Sequence, residues 1–180
     1  MYIDYKLEGK YVNLRSVTEE DAEFILDIRN NPQISKYLPP LNVTVEQQRQ
    51  WITKQRADKD SYYFILETPD CTPIGTLSIY DIVDDHGEGG RSCSIGEPFA
   101  NVEASLLFND FVFDVLKLDY ISIWTYEANR PVLALNKSIG YVWVKNDFDK
   151  NGNPFRVSML ERDNYKKRKD VLLKKLRIII

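Results

Sequence analysis

The chain has 180 residues, 43% of them hydrophobic and 28% charged, the composition of one ordinary folded domain rather than of a fibrous, disordered or membrane-embedded chain. Its net charge of -3 argues against nucleic acid as a bulk partner, because affinity for phosphate backbones rests on a basic surface. No apolar run approaches the ~20 residues that span a bilayer, no leader pattern opens the chain, and Cys71 and Cys93 make neither a disulfide framework nor a zinc site, so a cytoplasmic protein with free thiols and no metal or membrane anchor is expected.

Residues 10–15 alternate in the manner of a strand. Thr18, with acids at Glu19, Glu20 and Asp21, offers a capped helix start, and Ala22, Ile25, Leu26 and Ile28 recur at helical spacing until Asn31 and Pro32 stop it. Pro39-Pro40 and the lack of periodicity make 33–43 a loop. Thr44 and Gln47 repeat the capping pattern and open a second helix to about residue 57. Strands are predicted at 62–67 and 72–82, with a turn at Pro69, Asp70 and Cys71 between them. Residues 84–90 read as another turn, followed by a short strand at 91–95.

A long helix is predicted at 102–116, with Ala104, Leu107, Phe108, Phe111, Val112 and Val115 on one stripe. Then come a strand at 120–126, a short helix at 131–138 ended by Gly140, and strands at 141–148 and 155–161 around an Asp149 to Gly152 hairpin turn. Asp147, Asp149 and Asn151 mimic the opening of a calcium loop, but Ser158 stands where a Glu is needed and the flanks are strands, so a hairpin is expected. The basic stretch 162–177 carries Tyr165, Val171, Leu172, Leu173 and Leu176. It is read as a terminal helix that docks its apolar residues and leaves its lysines solvated, rather than as an RNA or membrane patch. The element order is that of an α/β layered fold, with residues 1–162 as a single domain and 163–180 as a basic helical tail.

Several local words carry more than their periodicity. They are Arg29-Asn30-Asn31-Pro32 at the first helix end, Ile74-Gly75 with Leu77 and Ile79 in the third strand, Glu88 with its following glycines, and Asn129 followed by Leu135 to Tyr141. In this order over about residues 10–162 the chain resembles the GNAT acetyltransferases, especially the branch of ribosomal-protein and amino-sugar N-acetyltransferases. The resemblance implies a mixed, largely antiparallel sheet of about seven strands flanked by helices, with 162 onward as an added helix. It also implies acetyl-CoA as co-substrate, its pantetheine arm between two splayed strands at 91–95 and 120–126 and its pyrophosphate on the N-terminus of the long helix.

Ser92, Cys93, Ser94, Phe99, Ala100, Asn101 and Asn129 are then the expected cofactor contacts, with Arg29, Asn30 and Tyr80, and Tyr37 beside them, on the acceptor side. Family members wrap the phosphates with glycines. Here the loop is Gly96-Glu97-Pro98-Phe99-Ala100-Asn101, in which Pro98 lacks an N–H, Glu97 and Glu103 add negative charge, and Asn101 is a candidate helix cap. Arg91, Arg130 and Lys137 are the nearest basic residues in sequence. Glu88 is the expected base, with an exposed turn carboxylate as the alternative. His86 is a second candidate base or a surface residue. Asn136 stands where many members place a Tyr acid, and an amide can donate to sulfur but not protonate it. Asn129 is either a cofactor contact or only an N-cap. The expected acceptor is a small-molecule primary amine, first a nucleotide-linked amino sugar. A protein N-terminus, or a binding module without efficient catalysis, stays open, as does a homodimer.

Overall fold

The computed structural model describes residues 3–178, with side chains to 176; the last residues of the expected tail lie outside this range. Eight strands form one sheet in the order β1-β2-β3-β4-β5-β6-β8-β7. They are β1 Lys6–Leu7, β2 Asn13–Ser16, β3 Tyr62–Glu67, β4 Pro73–Val83, β5 His86–Ser94, β6 Tyr120–Tyr126, β7 Val142–Phe148 and β8 Pro154–Glu161. All neighbours are antiparallel except β5 and β6. The helices are α1 Ala22–Asn30, α2 Val45–Ala57, α3 Pro98–Asp110, α4 Arg130–Ile139 and α5 Arg162–Ile178.

Alternation along the strands divides the core between the two faces of the sheet. Tyr63 and Ile65 point to one face, where Ala22 and Ile25 of α1 and Ile52 of α2 cover them. Phe64, Leu66, Ile79, Ile121 and Leu160 point to the other face, under Ala104 and Phe108 of α3 and Tyr165, Leu172 and Leu176 of α5. The terminal helix thus docks Tyr165, Leu172 and Leu176, with Leu173 packed beside them, whereas Val171, expected to dock with them, is 45% exposed. Tyr165 also donates its hydroxyl to the Leu106 carbonyl and to Asp110, both at 2.8 Å.

Three sequence expectations are corrected. First, β5 begins at His86 and includes the glycines read as a turn; only Asp84 and Asp85 separate it from β4. Glycine suits this strand because its neighbours fill the space a side chain would take: a Cβ on Gly87 would lie 3.0 Å from Ile79, and one on Gly89 3.0 Å from Ile121. Second, α3 starts at Pro98, in the first helical turn, where a missing N–H costs no hydrogen bond. Third, the helix passes at Phe111–Val115 into a π turn. The wider turn rotates the buried stripe, so Phe113 is buried while Val115 is 47% exposed. The short edge strand β1 was not foreseen, and β2 is shorter than the predicted 10–15.

Candidate active site

β5 and β6 run parallel and in register only from His86 opposite Tyr120 to Gly89 opposite Ile123. Beyond that point β5 continues paired with β4 alone, through Cys93 opposite Thr76 and Ser94 opposite Gly75. β6 continues paired with β8 alone, through Thr125 opposite Arg156 and Tyr126 opposite Phe155. The two strands therefore splay, leaving facing backbone edges free over residues 90–94 and 124–126. The split is reinforced by an irregularity in β5: the register shifts between Thr76 and Ser78, and Arg91 there takes a left-handed φ of 51°. Thr76 and Ser78 brace it, donating their hydroxyls to the carbonyls of Arg91 at 2.7 Å and Gly90 at 3.0 Å.

Glu88 lies one residue below the split, in register with Tyr80 on one side and Ser122 on the other. The Tyr80 hydroxyl donates to its carboxylate at 2.5 Å. Burial, and then this bond, push the Tyr80 phenol well above its ordinary pKa, so Tyr80 keeps its proton and remains a donor. The glycine at position 90 makes the contact sterically feasible, since a Cβ there would stand 2.6 Å from the Tyr80 hydroxyl oxygen. The Arg91 guanidinium lies 4.1 Å from the centre of the Tyr80 ring and 5.3 Å from that of Trp51 on α2. His86 is on the same face but two residues further from the opening, about 7 Å along the strand. Its ring is stacked on Tyr120 at 4.8 Å and its Nδ1 is 3.3 Å from Asp85. Of the two candidate bases, the splay brings only Glu88 to its floor.

At the rim, Glu97 is the residue before α3 and makes no side-chain cap. The Asn101 N–H is taken by Glu97 O at 3.0 Å. The first-turn N–H groups of Phe99 and Ala100 therefore have no intrahelical acceptor. Asn101 is not the cap expected from sequence: it lies inside the helix and its side chain donates back to Gly96 O at 2.9 Å. Glu103 is not a free negative charge near this rim either, because its carboxylate accepts the N–H groups of Lys10, Tyr11 and Val12 at 3.0, 2.6 and 3.1 Å. An anion-accepting helix end thus survives the loss of the glycines, and a pyrophosphate fits it through backbone donors. Ser94 Oγ is committed to the Gly96 N–H at 2.9 Å. The Cys93 thiol, pushed up to about 11 by burial, turns to the Ile28 carbonyl of α1, so Cys93 can offer a ligand only its backbone. Cys71 is also a free thiol, on the surface.

On the opposite wall Asn136 of α4 donates to Thr125 Oγ1 at 3.2 Å, beside the splayed half of β6. Asn129 accepts the Val132 N–H at 3.4 Å, a long N-cap bond that uses its carbonyl and leaves its NH2 over. Arg130 is exposed at the start of α4. Lys137 is at the far end, in a pocket with Lys167 and Arg168. Arg91 sits on the α2 face of the sheet, opposite α3, so neither it nor Lys137 serves the helix end.

The 31–44 loop closes the acceptor side. Tyr37 reaches across to donate to Ala128 O at 3.0 Å, bridging from the α1 side to the β6–α4 connection. Asn30, expected to line the pocket, instead braces this loop: its amide exchanges hydrogen bonds with the Leu41 backbone at 3.1 and 2.8 Å, leaving little for a ligand. Arg29 is buried, 7% exposed, and donates from one terminal nitrogen to Pro39 O at 2.9 Å. Trp51 was not singled out from sequence, and Tyr37 was named there on the acceptor side but not as a bridge, because the neighbours of both come from distant segments. Among the described residues no cluster of His, Cys, Asp or Glu could hold a metal ion, and no helix is long and apolar enough to cross a membrane. The calcium-like Asp149 is a hairpin residue, accepting the N–H groups of Asn151 and Asn153 at 2.8 and 2.9 Å.

Residues 12–142 match the family described as the acetyltransferase (GNAT) domain. The chain belongs to the GNAT acetyltransferase family. This GNAT protein is 22% identical over 146 residues to the acetyltransferase PseH of Campylobacter jejuni, covering 78% of this chain and 88% of that one. Its fold is similar to that of FdhC, described as a nucleotide-linked sugar GNAT, with a TM-score of 0.83 and 24% identity, covering 97% of this chain and 99% of the other. It is also similar to the ribosomal-protein-S5-alanine acetyltransferase of Vibrio fischeri, with a TM-score of 0.77 and 18% identity over 90% of this chain and 99% of that one.

Proposed function

We propose that this GNAT protein is an acetyl-CoA-dependent N-acetyltransferase that acts on the primary amine of a small molecule, a nucleotide-linked amino sugar being the best-supported class. The observation that carries the reading is the split of β5 from β6 just above Glu88, with the open N-terminus of α3 at its rim. When bound, acetyl-CoA supplies the thioester carbonyl carbon to which the amine nitrogen bonds as the carbon–sulfur bond breaks. The free edges at Ser92 to Ser94 and at 124–126 hold the pantetheine arm, and the N–H groups of Phe99 and Ala100 hold the pyrophosphate. The NH2 of Asn129 lies at the same end.

Glu88 takes the proton that the ammonium must lose before nitrogen can attack, directly or through one water. Tyr80 holds the carboxylate in place. Asn136 offers an amide N–H to the departing sulfur, which takes its proton from water, since an amide cannot give one. The loop bridged by Tyr37 roofs the acceptor side, which suits a compact amine better than a polypeptide end. The likeness to a solved protein described as a nucleotide-linked sugar GNAT points the same way.

Calorimetry with acetyl-CoA, followed by release of free thiol in the presence of an amine panel, tests the reading. Binding and turnover on an amino sugar nucleotide are expected, and Glu88→Gln should lower kcat by about 100-fold or more while leaving the Kd for acetyl-CoA unchanged. No binding at millimolar acetyl-CoA, or wild-type kcat in Glu88→Gln, would overturn the cofactor or the base assignment respectively. Turnover confined to peptide N-termini would replace the substrate class.

A further inference from the structure

Two guanidinium groups on the acceptor side lack matching negative charge. Arg29 is 93% buried by the complement of its 7% exposure, and its Nε is buried without a hydrogen-bond partner. Arg91 has a buried Nη1 without a partner, while the residue as a whole stays partly exposed. Neither forms an ion pair with a carboxylate among the described residues. Among the described residues the one hydrogen bond of the Arg29 side chain goes to a carbonyl, Pro39 O. Arg91 is held by aromatic faces, Tyr80 and Trp51.

The two groups belong to one neighbourhood. Cys93, two residues after Arg91, touches the carbonyl of Ile28, the residue before Arg29. Both guanidinium groups also act on the Tyr63 hydroxyl, favouring its ionised form against the burial that dominates there. Trp51 packs on the same Tyr63 ring at 5.7 Å. Burying cationic donors without an acceptor is costly, and here Arg91 is held in addition on a left-handed backbone at the site itself. Such an arrangement persists where a ligand supplies the missing charge, and the planar guanidinium matches a phosphate fork to fork.

From this we infer that Arg91 and Arg29 recognise a phosphate group of the acceptor, so that the enzyme selects phosphorylated or nucleotide-linked amines over neutral ones. The inference rests on the acceptor side of the cleft proposed above. It differs from the pyrophosphate site of acetyl-CoA, which lies on the opposite face of the sheet at the start of α3.

Calorimetry on protein saturated with CoA, so that the helix end is already filled, tests this without requiring turnover. Glucosamine, glucosamine 1-phosphate and UDP-glucosamine share one amine and differ in phosphate. Binding at least tenfold tighter for one or both phosphorylated forms is expected. Preference for UDP-glucosamine alone assigns the nucleotide diphosphate, and equal preference for both assigns any phosphate ester. Arg91→Gln should abolish the preference with the Kd for CoA unchanged, which also reports that the variant is folded, and Arg29→Gln should weaken it. Equal binding of all three ligands by the wild-type protein, or a preference that survives Arg91→Gln, overturns the inference. Absence of acetyl transfer to every amine would instead defeat the proposed activity and leave this binding result to be read by itself.

Discussion

The Tyr80 hydroxyl at 2.5 Å from Glu88 makes a prediction belonging to single residues. If Tyr80 serves only to fix the carboxylate, Tyr80→Phe should lower kcat about tenfold, the worth of one hydrogen bond of ~1.4 kcal/mol, with KM for the amine and Kd for acetyl-CoA held. Gly90→Ala should behave in the same way, because its new Cβ would displace the Tyr80 ring; steady-state kinetics on both variants check this, and a change confined to KM would refute a positioning role. At this scale the sequence was half legible. Glu88 and Tyr80 could be named, but not their pairing, which depends on a cross-strand register. For Asn30 and Asn101 one physical point was out of reach of the sequence: a motif names side chains as free for a ligand, whereas each amide here has a nearer backbone group to satisfy, Leu41 and Gly96.

Among the elements, the β7–β8 hairpin depends on an acid. Asp149 is held well below the usual carboxylate range, first by the Asn153 side-chain amide, then by the Asn153 N–H, the Tyr126 hydroxyl and the Asn151 N–H. Because the folded value is the depressed one, the turn's stabilisation is complete above the unfolded value of about 4 and is lost only as pH falls through the folded value. The amide signals of Asn151 and Asn153 should therefore keep their folded positions to below about pH 4, while Asp149→Asn should remove their acid-dependent shift. A midpoint at the ordinary aspartate value would show that the turn does not hold the carboxylate. Elements of strong period, such as α2 and β6, were readable within a residue. β5 was not, since its glycines spell a turn locally and only the packing of Ile79 and Ile121 over them makes a strand. The π turn at Phe111 was equally hidden: the Phe111 ring packs on Tyr5, Tyr62 and Phe64 at 4.8, 5.2 and 5.1 Å, and those partners come from segments distant in sequence.

For the whole molecule, one side chain spans the two halves of the split sheet on the acceptor side. The α1–α2 connection belongs to the half built on β2 to β5, and Ala128 belongs to the half built on β6 to β8; the Tyr37 hydroxyl spans them at 3.0 Å, and its ring lies 6.4 Å from Tyr126. The contacts proposed for the cofactor, at the start of α3 and along the strand edges, include no residue of that bridge, whereas the proposed acceptor pocket is bounded by it. Tyr37→Phe should therefore raise KM for the amine severalfold, since one net hydrogen bond of about 1 kcal/mol corresponds to roughly a factor of five, and should leave the Kd for acetyl-CoA within error. Its melting temperature should change little, because the Tyr37 loop contributes no residue to the main core cluster. Calorimetry and initial rates on the same preparation separate the two ligands. An equal loss of acetyl-CoA affinity would mean that the loop holds the splay itself open, and the roof would then be part of the cofactor site rather than of the acceptor's.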